Sequence, residues 1–322
     1  MTLSLITMRF SALKTSLLLI FCITAEVNAQ RWYEPADSIN KKRAIVIASA
    51  QGALYTSTLV GLQFAWYNQY QNGTFKFFND WEGWMQMDKV GHAATAYQIG
   101  TNLYKINRWA GVSKKRSAWY ATGLGYSYQT VIEVMDGFSQ GWGFSNYDLL
   151  FNTIGSGAFL AQQLGWEEQR FRIKYSFWPS GLTRLDGAEG RRARNLYGEN
   201  LYEQWLKDYN GQTYWVSANI WSLIGKPAGF PKWLSVSAGY SVNNLLGAEQ
   251  NIWEDPDDPT QQISSNRVRN RQLLLSLDID LEHTSLPKGL VWLRPLFGLV
   301  KLPFPALEWN SIHGFRGYYL YF

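Results

Sequence analysis

The alternation of apolar and polar positions divides the chain near residue 167. Residues 44–67, AIVIASAQGALYTSTLVGLQFAWY, carry no charge and are long enough to cross a bilayer. Gln51, Gln63 and the Ser and Thr content leave a central buried helix open as the alternative. Three further segments, at about 88–109, 114–135 and 146–165, are largely apolar, with charge collected in the links KINRWAGVSKKR and WEEQR. Small residues recur in them at three- and four-residue spacing, as in Gly91/Thr95, Ala96/Gly100 and Gly157/Ala161. Such spacing lets helix backbones approach closely, as in membrane bundles. The pattern predicts an apolar four-helix bundle over 44–167.

From about 168 the period changes from helical to two. In RFRIKYSF, Phe171, Ile173, Tyr175 and Phe177 share one face, and Arg170, Arg172 and Lys174 the other. Looser alternation at 213–221, 232–241, 272–282 and 315–322 brings the number of predicted strands to five, so residues 168–322 read as an antiparallel β region and the fold class as α+β. The polar, Pro-punctuated stretch 249–271 reads as a long loop. Residues 289–309 are apolar but broken by Arg294, Pro295, Lys301, Pro303 and Pro305, which suits an interfacial segment better than a span. The terminal FRGYYLYF, with Leu320 and a last Phe322, resembles the C-terminal signal of bacterial outer-membrane barrels, except that Phe315 stands where a polar residue is usual. Five strands fall short of the roughly eight that a membrane barrel needs. Either the sheet covers the helical bundle or partner chains complete it.

The first 29 residues change the picture of where the chain works. Arg9 and Lys14 precede the apolar run SLLLIFCITA, and Val27 and Ala29 occupy the small-residue positions of a signal-peptidase site. A signal peptide over 1–29 and a polar linker over 30–43 are expected, and with them export. Cys22 is the one cysteine, and Phe21 before it departs from a lipid-attachment box. A mature chain from Gln30 then has no thiol for disulfides, thiolate metal sites or Cys nucleophiles. Aromatic residues make up 16% of the chain and charged ones 17%, a balance that favours membranes and interfaces. The two basic clusters, Lys114-Lys115-Arg116 and Arg191-Arg192-Ala193-Arg194, read as solvated loops or as surfaces for anionic headgroups. The expected partners are membrane lipid and outer-membrane proteins, with no nucleic acid, and the expected location is the outer membrane or the membrane-associated periplasm.

Candidate chemistry lies in the bundle. One helix carries Asp88, Lys89 and His92, the next Gln129, Glu133 and Asp136 on one face, and the third Asp148 and Asn152, four apart. Each has an ordinary explanation: Ser145 and Asp148 form a capping box, Asp136-Gly137 a helix-end turn, and Lys89 a partner for a carboxylate. Together, four carboxylates, a His and an Asn on apolar helices are costly to bury unless they meet one another, water, a metal or a substrate.

The run DKVGH, a following helix with a carboxylate, and then D-x-x-x-N-x-x-G resemble the VanZ-like group of small bacterial membrane proteins. They resemble more closely an uncharacterised family of bacterial envelope proteins that includes a predicted periplasmic lipoprotein. The pieces YNGQTYW, SLDIDL and PFPALEW are similar to the longer, Bacteroidetes-type members. The resemblance implies a helical domain in or against a membrane, with Asp88, His92, Glu133, Asp136, Asp148 and Asn152 as its polar positions, and supplies no reaction.

Two functions are open. In the first, the protein is a structural or assembly component of the outer membrane and the polar network fixes helix register. In the second, it acts on or binds a lipid or phosphate headgroup. His92, Asp88, Glu133 and Asp136 would then do acid–base work, and Lys89, Gln129, Asp148 and Asn152 would hold the substrate, with room for a divalent cation. The sequence has no H-E-x-x-H.

Overall fold

The computed structural model describes residues 34–65, 73–284 and 298–322. The expected signal peptide with Cys22, the last two residues of the first apolar run and positions 289–297 lie outside the described residues.

The chain is α+β. Helix α1, Lys41–Ala65, is followed by a 3-10 turn at Gly83–Gln86 and by helices α2 (Met87–Trp109), α3 (Lys114–Gly137) and α4 (Asn146–Gly165). The last three pack on one another, and glycines set how closely. A Cβ on Gly155 would lie 2.0 Å from the Ala93 carbonyl oxygen, and one on Gly125 2.9 Å from Ile99, so α4 and α3 touch α2 nearly backbone to backbone. Among the described residues, nothing lies within 4 Å of where a Cβ on Gly157 would stand.

The bundle therefore has three closely packed helices where the sequence predicted four. Helix α1 is attached through Arg43, which donates to the carbonyls of Glu34 and Trp109 and lies over the Trp109 ring, and through an edge contact between Tyr55 and Tyr128. Ile45, Val46, Leu54, Val60 and Phe64 along it are exposed. Residues 41–64 are long and apolar enough to cross a membrane.

Strands β1 (Phe171–Phe177), β2 (Gln212–Asn219) and β3 (Leu234–Asn243) begin the sheet. Between β1 and β2 lie α5 (Gly187–Tyr197) and α6 (Leu201–Lys207), and after β2 the single turn α7 (Ile220–Leu223). The stretch read as a long loop contains a small hairpin, β4 (Ile252–Glu254) with β5 (Gln262–Ser264). Strands β6 (Asn270–Ile279), β7 (Phe304–Asn310) and β8 (Gly314–Tyr321) complete an antiparallel six-stranded sheet in the order β1-β2-β3-β6-β7-β8. Strand β7 corrects the reading of 289–309 as an interfacial segment. Its Pro305 occupies an exposed position beside a register shift, where a missing N–H does no harm.

The sheet curls until its ends meet. Just ahead of β7, Leu299 accepts from the Tyr175 N–H at 2.8 Å, and the Lys301 N–H donates back to Tyr175 at 2.9 Å, a parallel pairing along the outer edge of β1. The rings of Trp178 and Phe322, which follow β1 and β8, stand 4.6 Å apart, and Trp215 on β2 meets Tyr321 on β8.

Burial in this curled sheet is the reverse of the usual rule. Along β6, Asn270, Gln272, Leu274, Ser276 and Asp278 are buried, while Leu273, Leu275 and Leu277 are about half exposed. On β1 the buried residues are Arg172, Lys174 and Ser176, and on β7 Glu308 and Asn310 are buried while Leu307 and Trp309 are exposed. The interior charges are paired: Lys174 Nζ lies 2.6 Å from Asp278 Oδ2, which also accepts from Ser217, and Arg172 reaches Asp280 at 3.3 Å and Glu282 at 2.9 Å. Lys105 of α2 joins Glu282 and so ties the bundle to the sheet.

Candidate functional site

The site starts from an uncommon backbone. Trp84, Met85 and Gln86 have φ of 51°, 52° and 63°, three successive left-handed residues immediately ahead of α2. Side chains with a Cβ pay for that conformation, so the surroundings must hold it. They do: the Trp84 N–H donates to Ala248, the Met85 carbonyl accepts from Tyr240, and Gln86 Oε1 accepts from Arg271 at 2.8 Å. Helix α2 is thereby started at a fixed place between bundle and sheet, with Asp88, Lys89 and His92 in its first turns.

Lys89 is fully buried and meets three carboxylates: Asp80 at 2.5 Å, Asp148 at 2.7 Å and Asp88 at 3.0 Å. Ser145 caps α4 by accepting from the Asp148 N–H at 3.0 Å, and its hydroxyl donates to Asp80 at 2.6 Å. Half of the capping box read from the sequence is present: Ser145 caps α4, but its own N–H donates to Glu133 Oε2 at 3.4 Å, and Asp148 turns its carboxylate into the cluster instead. Tyr209 donates to Asp88 Oδ1 at 3.1 Å.

His92 has two different sides. Its Nδ1 is 3.1 Å from Asn152 Oδ1, which also accepts from Gln129, and 3.5 Å from Glu133 Oε1. Its Nε2 faces Asp88 Oδ1 at 3.7 Å and Asp148 Oδ1 at 3.9 Å. Asn152 and Glu133 are fully buried, whereas the Asp88 and His92 side chains are 26% and 16% exposed, so the cluster opens outward on the Nε2 side.

These contacts set the charge states. Burial would lower the His92 pKa, but Asp88, Asp148 and Glu133 outweigh it and raise it to about 9. Burial, reinforced by the neighbouring carboxylates, pushes Glu133 up to about 8, and burial with Asp88 pushes Asp148 to about 7. For Asp88 burial acts upward, yet His92 and Lys89 hold it below the ordinary aspartate value. Burial opposes the charge on Lys89 too, and the carboxylates around it still raise its pKa.

Of the residues named from the sequence, Asp88, Lys89, His92, Gln129, Glu133, Asp148 and Asn152 come together. Asp136 lies one turn beyond Glu133, half-buried, and accepts from the Trp142 indole. Asp80 and Tyr209 are members that the sequence reading did not find. Asp80 sits in an aromatic link with no periodicity to mark it, and Tyr209 arrives from 121 residues beyond Asp88.

Fold and site together define an α+β protein with an acid-rich histidine cluster held among three helices. Residues 77–162, which span Asp80 to Asn152, match a family of unknown function described as a predicted periplasmic lipoprotein (DUF2279). That likeness supports an exported, envelope-associated protein and specifies no activity. Comparison with curated proteins and with solved structures gave no match.

Proposed function

We propose that the chain is a membrane-associated envelope protein whose sheet rests with its outer face against outer-membrane lipid, in a structural or assembly role. The observation that carries this reading is the reversed burial of the sheet, with Leu273, Leu275, Leu277, Leu307 and Trp309 turned out and charged pairs turned in. Proteins that face water rarely leave a contiguous apolar face of this kind uncovered, and polar-in, apolar-out alternation is the pattern of lipid-facing sheets. Exposed α1 supplies a second apolar element, and Trp309, Tyr319 and Phe315 supply aromatic rings suited to a membrane interface.

The test is fractionation of native envelopes. Resistance to carbonate, release by detergent and recovery with the outer membrane are expected. Recovery in the soluble periplasmic fraction would overturn the reading.

A second reading, action on a lipid or phosphate headgroup, is favoured by one feature. The Nε2 side of His92 is flanked by carboxylates and open to the outside, the arrangement that acid–base chemistry requires. Its test is turnover of headgroup phosphoesters by the purified protein, compared between the intact chain and Asp88→Asn.

A further inference from the structure

We infer that the gap between His92 Nε2, Asp88 and Asp148 is a binding site for a borderline divalent cation of the Zn²⁺ type. The inference holds independently of either functional reading above.

The argument begins with the imidazole proton. Asn152 Oδ1 can only accept, so Nδ1 of His92 must carry hydrogen at the 3.1 Å contact. Bound to a cation, His92 would present its Nε2 lone pair toward two carboxylate oxygens: Asp88 Oδ1 at 3.7 Å, which also accepts from Tyr209, and Asp148 Oδ1 at 3.9 Å, which also faces Lys89 Nζ at 2.7 Å. The two separations from Nε2 are too long for hydrogen bonds. They suit donors arranged around a cation, since ligands bound at roughly 2.1 Å in a tetrahedron stand about 3.4 Å apart. One ligand atom each from Asp88, His92 and Asp148 lies within 4.8 Å of the others.

The second observation is Glu133. It is fully buried; its Oε2 accepts from the Ser145 N–H at 3.4 Å, while its Oε1 has no hydrogen-bond partner among the described residues and stands 3.5 Å from His92 Nδ1. A carboxylate behind the far nitrogen is the usual device that orients a metal-binding histidine and raises its basicity.

Charge agrees with geometry. Asp80, Asp88, Asp148 and Glu133 surround Lys89 and His92, four carboxyl groups around one ammonium and one imidazole. One imidazole and two carboxylates form a donor set for Zn²⁺ or Co²⁺ rather than the all-oxygen set of Ca²⁺. The exposed side of Asp88 and His92 gives the ion an entry path and leaves a position for water or an anionic oxygen.

The test uses the full chain in detergent, stripped with chelator and titrated with Zn²⁺ alone by calorimetry, and with Co²⁺ alone by visible absorption. One saturable site per chain is expected, with Co²⁺ ligand-field bands. The site should be lost in His92→Ala and Asp148→Asn variants that keep the far-UV spectrum of the parent. Glu133→Gln is the second measurement, independent of how those two variants fold, with affinity expected to fall about 10- to 100-fold at unchanged stoichiometry. No saturable uptake by the folded parent chain would overturn the assignment. So would uptake that His92→Ala and Glu133→Gln leave unchanged.

Discussion

Lys174 and Asp278 face each other across the inside of the sheet at 2.6 Å, and both side chains are 1% exposed or less. They sit where most antiparallel sheets place aliphatic residues. A buried pair of this kind adds little net stability, because desolvation cancels much of the attraction, but removing one partner strands the other.

Asp278→Ala is therefore expected to destabilise the protein by about 3–5 kcal/mol, whereas the double variant Lys174→Met, Asp278→Leu should recover most of that loss. Chemical denaturation of the detergent-solubilised chain, followed by far-UV circular dichroism, measures both. Equal losses in the single and double variants would show that the pair has no special role.

Two glycines of α4 give a controlled test of helix contact. Gly155→Ala brings a methyl group to 2.0 Å from the Ala93 carbonyl and should cost about 1–3 kcal/mol or more, since packed helices must separate. Gly157→Ala, with no described residue within 4 Å of the new methyl group, should stabilise by up to about 1 kcal/mol through helix propensity. Thermal melts of the two variants should move in opposite directions.

Lys301 predicts a pH dependence. It is buried, with its ammonium 4.5 Å from the Trp215 ring centroid. Burial lowers its pKa to about 8, against the pull of Asp278 and with the help of Lys174. Between about pH 8 and the ordinary lysine value the unfolded chain holds this proton and the folded chain does not. The Lys301 contribution to stability therefore rises with pH across that window, and the cost of burying the charge is felt in full below it. Lys301→Met should remove this rise, as seen by comparing denaturant midpoints of parent and variant from pH 7 to 10.

The lipid-facing reading makes a prediction on β6. Leu275 is 54% exposed, so Leu275→Lys should change the stability of the detergent-solubilised protein by no more than about 0.5 kcal/mol. If lipid covers the face, it should weaken vesicle association by about 2–4 kcal/mol, the cost of a lysine placed deep in lipid. Flotation with liposomes reads the difference, and an unchanged distribution would place Leu275 away from lipid.

The three bundle helices and most of the cluster were legible because they depend on local spacing. Asp88 to His92, Gln129 to Glu133 and Asp148 to Asn152 are each one helical turn, and a turn fixes which side chains share a face. Strand β1 was equally plain from its strict alternation, although alternation cannot say which face is buried, and here the charged one is. Strand β7 was obscured by Pro303 and Pro305, which signal breaks unless the strand has an exposed or irregular position to hold them. Asp80 and Tyr209 reach the cluster through tertiary packing alone. Helix α1 has the composition of a bundle member, but membership depends on a complementary surface that no single segment reveals.

The parallel pairing of Tyr175 with residues 299–301 carries a consequence for how the molecule is made. The outer edge of β1 forms early in the chain, and its partner follows more than 120 residues later. Contacts so distant in sequence are slow to find, because a long loop must close before any hydrogen bond rewards it. A growing or newly exported chain thus holds an unsatisfied strand edge until residues 299–301 are in place. During that interval the edge is open to pairing with other chains, a hazard that ends when residues 299–301 dock on it.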